Sequence, residues 1–161
     1  MSGQKHQRVV AVDSMVLVWG IRKTGPEEKI RRARYLFSEL EDDEAQVILP
    51  SVAVAEYITP LASPDERAQV VAAMGERFII SPFDANDAIL AAQLYREGQA
   101  RRKMGARGAR VCLRADSLIV ATAKNHGARE FYTEDVDCYN MASQVIHTKK
   151  LPTIGRSLFD D

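Results

Sequence analysis

Residues 9–20 read VVAVDSMVLVWG, an apolar run that is interrupted by one carboxylate, Asp13, and one hydroxyl, Ser14. The β-branched residues of RVVAVD, residues 8–13, predict a short strand that is buried on both faces. Asp13 therefore ends a buried strand, where an unpaired carboxylate is strongly unfavourable. Ser14 is a candidate cap for the helix that follows. What stabilises Asp13 depends on where the other carboxylates of the chain fall.

Strand and helix signals alternate along the rest of the chain. Further strands are predicted at QVILP, RFIISP, REFYTED and QVIHT. Helices are predicted after Pro26, after a Ser51 cap, from Pro64 to Met74 with a stop at Gly75, after Asp84 or Asn86, and over residues 115–125. This alternation predicts an α/β fold with a five-stranded, mostly parallel sheet flanked by helices. We expect a single domain over residues 1–161, with a core of about residues 8–148 and a short C-terminal tail.

Charge, apolar runs and cysteines indicate where the protein acts and which partners it does not have. The chain has 161 residues with 22 Lys+Arg and 22 Asp+Glu, so net charge indicates no polyanionic partner and only the clustering of charge can. The longest apolar run is too short to span a bilayer, and the N-terminal residues lack the hydrophobic region of a signal peptide. Two cysteines, Cys112 and Cys138, have no CxxC spacing, which suits a reducing compartment. We therefore expect a cytoplasmic protein that does not bind membranes.

Four acidic residues fall near the predicted strand ends. Asp13 ends the first strand, Glu56 lies about one turn into the helix after the second, Asp116 opens the helix before the fourth, and Asp135 follows the fourth. Ligands of parallel α/β sheets bind beyond the carboxyl ends of the strands, so we expect these side chains to converge. Like charges at close range oppose ionisation, and a hard divalent cation relieves the repulsion. The pattern predicts a Mg²⁺ or Mn²⁺ site, because the HExxH, CxxC and paired-histidine patterns typical of zinc are absent.

Each of these positions also has an ordinary structural explanation. Asp13 could pair with a buried arginine or cap the next helix, and Asp116 is a good helix N-cap. Glu56 alone is typical of the exposed face of an amphipathic helix, and Asp135 is typical of a turn. The functional interpretation therefore depends on all four acids arriving at one edge of the sheet.

The segments VVAVDSMVLV, LPSVAVAEYI, RADSLIVATAKNHG and FYTED resemble, in this order, the PIN domain and in particular the VapC-type toxin ribonucleases. The resemblance covers residues 9 to about 146. It implies a five-stranded parallel sheet and a Mg²⁺- or Mn²⁺-dependent endoribonuclease. Such an enzyme hydrolyses RNA phosphodiesters with metal-activated water and leaves a 5′-phosphate and a 3′-hydroxyl. The resemblance also implies a type II antitoxin that inhibits the enzyme, and members of the family often form homodimers.

The resemblance maps the family's functional positions onto this chain. The acidic quartet and the two hydroxyl positions correspond to Asp13, Glu56, Asp116, Asp135, Ser14 and Thr133. The chemistry of the side chains favours Asp13, Asp116 and Asp135 as metal ligands, with Asp135 binding directly or through water. Glu56 has the longer reach, so it either binds the metal or orients the attacking water as a base.

Two positions in the final motif depart from the family pattern. Glu134 stands where many relatives have Asn, and Cys138 stands where they have Phe. These departures leave the quartet intact. They also leave open whether Asp137 serves the site beside Asp135.

A basic segment precedes the third acidic motif. Residues 96–114, REGQARRKMGARGARVCLR, contain seven basic residues and one acidic residue. Lysine and arginine bind phosphates without reading sequence, so this segment is either an RNA-binding surface or a solvated helix end. A second basic group lies within residues 22–34. The predicted RNA-binding residues are Arg101, Arg102, Lys103, Arg107 and Arg110.

Three other functions compete with the toxin ribonuclease. A noncatalytic PIN-like module that binds RNA or protein is the main alternative, and the intact acidic quartet argues against it. A receiver-like phosphoacceptor domain would require an acidic pair near the first strand, where this chain has only Asp13. A dinucleotide-dependent dehydrogenase would require GxGxxG after that strand, and the motif is absent.

Overall fold

The computed structural model describes residues 6–102 and 110–155. Its strands are β1 Val9–Val12, β2 Gln46–Pro50, β3 Ile79–Ser81, β4 Glu130–Tyr132 and β5 His147–Lys149. They form one sheet in the order β3-β2-β1-β4-β5, and every neighbouring pair is parallel. This confirms the predicted α/β fold with a five-stranded sheet, which is wholly parallel.

Helices connect the strands and cover the sheet. They are α1 Ser14–Leu17, α2 Glu27–Asp42, α3 Ser51–Ile58, α4 Pro64–Arg77, α5 Ala85–Arg102, α6 Arg110–Asn125 and α7 Val136–Ala142. A π-helical turn, Val18–Arg22, follows α1 directly. Within the described residues, no helix combines the length and the apolar character needed to cross a membrane.

The sheet is buried on both faces, which explains why its strands read as continuous apolar runs. On one face, Val10 and Val12 of β1 pack in a cluster with Leu36 of α2. On the other face, Ala11 of β1 and Phe131 of β4 pack in a second cluster with residues of α5, α6 and α7. All five of these side chains are fully buried. The two clusters hold the strands in register and bring their carboxyl ends to one edge.

The strand order places a crevice beside the end of β1. From β1 the chain moves to β2 and β3 on one side of the sheet, and it later returns to β4 on the other side. Ligands of parallel α/β sheets bind at such a switch point. Asp13 follows β1 here, and its N–H donates to the carbonyl of Tyr132 at the end of β4 (3.2 Å).

Several element boundaries differ from the sequence prediction. Helix α6 begins at Arg110, so Asp116 lies inside the helix and does not open it, because the intervening residues include good helix formers. Helix α4 continues through Gly75 to Arg77, since one glycine costs a helix only about 1 kcal/mol. Ser51 makes no capping hydrogen bond at α3, where Pro50 precedes the first turn. Strand β5 begins at His147, later than predicted.

Helix α7 was not predicted at all. It has only seven residues, and its first turn follows directly from the motif FYTED. A segment this short carries little periodicity, so its signal is weak in the sequence. Its position is nevertheless informative, because α7 begins directly after Asp135, the last acid of the predicted quartet.

Candidate metal centre

Asp13 is buried at the end of β1 and both of its carboxylate oxygens are bound. Only 6% of the residue is exposed. Oδ1 accepts the N–H of Val16 (3.0 Å), so Asp13 caps α1. Of the two caps that the sequence offered, Asp13 and Ser14, the structure selects Asp13. Oδ2 accepts the hydroxyl of Thr133. Asp13 therefore caps a helix and also faces the crevice, and within the described residues no arginine or lysine pairs with it.

Thr133 joins the ends of two strands through a single hydroxyl. The residue is fully buried just after β4. Its hydroxyl donates to Asp13 and accepts the N–H of Asp135 (3.1 Å). Asp135 Oδ1 in turn accepts the N–H of Cys138 (2.8 Å) and caps α7. The two aspartates are thus held in a fixed relation by Thr133.

Glu56 lies at the exposed rim of the same edge. It projects from α3, and its Oε2 accepts the hydroxyl of Ser14 at 2.9 Å. The sequence predicted both residues as part of the site, without predicting that they would contact each other. The hydrogen bond holds the longer carboxylate on the side of Asp13.

Asp116, on α6, lies near enough to the other acids for their charges to affect its pKa. Burial raises its pKa, and the charges of Asp135, Asp13, Glu56 and Asp137 raise it further, to about 7. The neighbouring charges act in this way only when the carboxylates are near one another. The structure therefore brings all four acids of the predicted quartet to one edge, with Asp137 beside them.

The pKa of Asp13 is also above its ordinary value, at about 6. Burial is the largest cause, and hydrogen bonds from Thr133 and Val16 oppose it by favouring the ionised form. The negative charges of Asp135 and Glu56 raise the pKa again. The protein alone thus compensates the Asp13 and Asp116 carboxylates poorly.

The four carboxylates of the quartet lie near one another but do not form a compact set of ligand atoms. Among the residues that the structure describes, no three of its carboxylates have oxygens within 4.8 Å of one another. None of the four forms an ion pair in those ranges. Mg²⁺ is commonly held by one or two carboxylates and retains several waters, so this open arrangement fits such an ion. The all-oxygen donor set also favours Mg²⁺ or Mn²⁺ over softer metals.

Glu134 does not join the acids, although it stands between Thr133 and Asp135. Its Oε1 contacts Lys29 (2.6 Å) and Arg32 (3.1 Å) of α2, and its Oε2 accepts the N–H of Leu151 (3.1 Å). Burial acts to raise the pKa of Glu134, but the hydrogen bonds and the two cations outweigh it and hold the pKa below the ordinary value.

Cys138, the other departure from the family pattern, is a buried free thiol in the first turn of α7. Burial raises its pKa, and the negative charges of Asp116 and Asp13 raise it further. The thiol is therefore neutral at physiological pH and does not compete with the carboxylates for a hard cation. Cys112 is also free.

The predicted RNA-binding segment is only partly described. Arg101 is exposed in the last turn of α5. Lys103 and Arg107 lie outside the described residues, as do the side chains of Arg102 and Arg110. RNA binding by this segment stays a prediction. In the second basic group, Lys29 and Arg32 are bound to Glu134, and Arg22 lies over the ring of Tyr57 (4.3 Å).

A second cluster of metal-ligating side chains lies between the start of α5 and the end of α6. Potential ligand atoms of Asp84, Asp87 and His126 lie within 4.8 Å of one another. Hydrogen bonds account for this cluster: Asp84 and Asp87 accept each other's N–H groups, and Asp87 also contacts Asn125 (2.9 Å) and His126 (3.1 Å). Nine residues of helix, about 14 Å, separate Asn125 from Asp116. The cluster thus joins two helices and is separate from the acidic quartet.

The family model of the PIN domain matches residues 10–144. The chain belongs to the PIN domain family. No curated protein matches it. As a PIN domain, it is similar in fold to a chain in the crystal structure of VapBC2 from Rickettsia felis bound to a DNA fragment from the VapBC2 promoter. The TM-score is 0.59, the sequence identity is 16%, and the match covers 89% of this chain and 99% of that chain.

Two further VapBC structures resemble this PIN domain. DNA-bound VapBC from Salmonella typhimurium has a TM-score of 0.57 and 17% identity, covering 91% of this chain and 100% of that chain. VapBC-1 from nontypeable Haemophilus influenzae has a TM-score of 0.59 and 12% identity, covering 89% and 98%. At these identities the likeness concerns the fold.

The sequence did not predict the contacts that organise this PIN domain's crevice. The Ser14–Glu56 hydrogen bond and the binding of Glu134 to α2 both join residues far apart in sequence. The departure of Glu134 from the family pattern was the one signal available. It marked the position without indicating which residues would bind it.

Proposed function

We propose that this PIN domain is a metal-dependent endoribonuclease and the toxin of a type II toxin–antitoxin pair. The observation that carries the proposal is the convergence of Asp13, Glu56, Asp116 and Asp135 at one sheet edge. Within the described residues, no cation of the protein pairs with them. Such an arrangement is costly for stability, and a role in binding a divalent cation accounts for it.

Asp13 and Asp116 would hold the cation, Mg²⁺ or Mn²⁺, and Asp135 would complete the set directly or through water. When bound, the cation would supply positive charge to a phosphodiester and lower the pKa of water. The protein orients two of the three carboxylates before any cation arrives. Asp13 is held by Thr133 and Val16, and Asp135 by the N–H of Cys138.

Glu56 is suited to take up the proton of the attacking water. It lies at the exposed rim, where substrate and solvent can reach it. Ser14 contacts Oε2, which leaves Oε1 to accept the proton. A general base must lie within hydrogen-bonding reach of the proton that it removes, so this role requires the attacking water to bind beside Glu56.

A cognate antitoxin is the proposed partner. The similar structures from three organisms are VapBC assemblies, two of them bound to DNA. An antitoxin that inhibits this chain would cover the acidic edge, and an arginine from it would compensate the carboxylates. A neighbouring gene for a small DNA-binding protein would support this partner. Homodimer formation stays a prediction.

Cleavage of RNA by the purified protein is the deciding test. Transfer RNA, ribosomal RNA and messenger RNA would each be incubated with the protein and Mg²⁺ or Mn²⁺, with EDTA as one control. Asp116→Ala should abolish cleavage. His126→Ala should preserve it, because His126 lies in the separate cluster with Asp84 and Asp87. The products should carry 5′-phosphate and 3′-hydroxyl ends.

Three other outcomes would contradict the proposed nuclease or the position of its site. Cleavage that survives EDTA and Asp116→Ala would come from a contaminating nuclease or from a different site. Absence of cleavage on all three RNA classes, with folded protein and measured Mn²⁺ binding, would contradict the nuclease and favour the noncatalytic binding module. Loss of cleavage in His126→Ala alone would move the metal site to the second cluster.

A further inference from the structure

Glu134 separates two residues of the acidic edge and points away from both. Thr133 binds Asp13, and Asp135 belongs to the acidic quartet. Successive side chains of an extended segment point to opposite sides, and Asp135 itself has extended backbone angles (φ −73°, ψ 127°). Contacts that hold the Glu134 side chain therefore also fix the backbone of Thr133 and Asp135.

The side chain of Glu134 is held from two directions. Lys29 and Arg32 of α2 contact Oε1, and the N–H of Leu151, just beyond β5, donates to Oε2. The Glu134 and Arg32 side chains are only 9% and 13% exposed. Charge-assisted hydrogen bonds with this little solvent are stronger and more directional than surface pairs.

The segment after β5 is part of the same connection. Arg32 also donates to the carbonyls of Leu151 (2.6 Å) and Pro152 (2.9 Å), and Lys150 donates to the carbonyl of Glu134 (3.0 Å). Three parts of the chain thus meet at one carboxylate: α2, the segment after β5, and the loop between β4 and α7.

We propose that Glu134 is a positioning residue for the metal site, holding the loop of Thr133 and Asp135 against α2 and the segment after β5. This inference rests on the proposed function. Residues that orient metal ligands typically change metal affinity or activity by about 10–100-fold when they are replaced. Glu134 would act through the backbone of its neighbours, without contacting the cation or the RNA.

Glu130 provides a matched control at the other end of the same strand. Its side chain is 14% exposed and it is bound by two cations, Arg8 (2.7 Å) and Lys149 (2.5 Å). It is the first residue of β4, at the edge of the sheet opposite the acidic crevice. Replacement of either glutamate removes two ion pairs, but only Glu134 lies next to the metal site.

The test is Mn²⁺ affinity, measured by isothermal titration calorimetry on the full chain without RNA. Glu134→Ala should weaken Mn²⁺ binding by about tenfold or more, whereas Glu130→Ala should change it by less than about twofold. Glu134→Gln retains an oxygen for the Leu151 N–H and should fall between the wild type and Glu134→Ala. If Glu134→Ala does not fold, Glu134→Gln compared with Glu130→Gln gives the same contrast.

Single-turnover cleavage adds a second readout. With Mn²⁺ near its wild-type dissociation constant, Glu134→Ala should lose rate, and excess Mn²⁺ should restore part of it. Equal Mn²⁺ affinities for Glu134→Ala, Glu130→Ala and the wild type would overturn this inference alone. Absence of both Mn²⁺ binding and cleavage in the wild-type protein would overturn the proposed function, and this inference with it.

Discussion

The hydroxyl of Thr133 donates a hydrogen bond to the carboxylate of Asp13 across 120 positions of sequence. The same hydroxyl accepts the N–H of Asp135. One buried side chain thus connects the end of β1, the end of β4 and the start of α7. Its removal should therefore affect both the stability of the fold and the geometry of the acidic edge.

We predict that Thr133→Val destabilises the protein by about 1–3 kcal/mol, because the Asp13 carboxylate loses a donor and the Asp135 N–H loses its acceptor inside the protein. Thr133→Ser retains the hydroxyl and should cost nearer to 0.8 kcal/mol, roughly the value of one buried methyl group. Urea denaturation of both variants measures the difference. Equal losses in the two variants would show that the hydroxyl contributes no more than the methyl group.

The raised pKa values of Asp13 and Asp116 predict an unusual dependence of stability on pH. In the folded state their pKa values are about 6 and about 7, above the ordinary value of 3.8. Between the ordinary and the raised values the folded state binds more protons than the unfolded state, so the free energy of unfolding falls as pH rises. In EDTA, the melting temperature should be higher at about pH 5 than at about pH 8.

A divalent cation should reverse this trend, because it binds the ionised carboxylates. Mn²⁺ binding and RNA cleavage should both strengthen as pH rises through about 6 to 7, where Asp13 and Asp116 lose their protons. Melting curves with and without Mn²⁺ at several pH values test this directly. A stabilisation by Mn²⁺ that is the same at low and high pH would contradict the assignment of these carboxyls as ligands.

Asp116→Asn should move stability and activity in opposite directions. In the metal-free protein near neutral pH it removes a poorly compensated charge, so the melting temperature should rise and its pH dependence should flatten. The cleavage rate should fall by about 100-fold or more. Replacing a residue that only orients a metal ligand typically costs about 10–100-fold, and replacing the ligand itself should cost more. A lower melting temperature in EDTA would show that the Asp116 carboxylate has a favourable partner.

Gly20 and Gly75 form a contrasting pair, because a side chain at Gly20 would clash with α2 whereas one at Gly75 in α4 would not meet any atom. A Cβ at Gly20, in the π-helical turn, would overlap the ring of Phe37, whereas a Cβ at Gly75 would meet no atom within 4 Å. Gly20→Ala should therefore destabilise the protein by about 1–3 kcal/mol through overpacking. Gly75→Ala should stabilise α4 by up to about 1 kcal/mol through its higher helix propensity. Urea denaturation measures both.

The fold was predictable because burial on both faces makes the strands of this sheet continuous apolar runs. Residues 9–12 and 46–50 showed this pattern plainly. The same rule marked the ends of the strands, and so the edge where Asp13 and Asp135 would meet. These inferences depend on local pattern and on the topology of parallel sheets, which a single sequence reveals.

The sequence did not reveal features that depend on partners distant in the chain. Asp116 was expected to begin a helix, but its neighbours extend α6 back to Arg110. The contact between Lys29 and Glu134 spans 105 positions, and neither residue has a local pattern that predicts it. Side-chain pairing of this kind becomes visible only when the packing of α2 on the sheet is known.

The central position of β1 also has a consequence for how the protein is made. Asp13 is synthesised 122 residues before Asp135, with which it must share the crevice. At about 5–20 residues per second, roughly 6–24 s of translation separate the two. A chain truncated before β4 would contain Asp13, Glu56 and Asp116 without the strand that completes their setting. The proposed metal site would therefore stay incomplete until β4 and Asp135 have been synthesised.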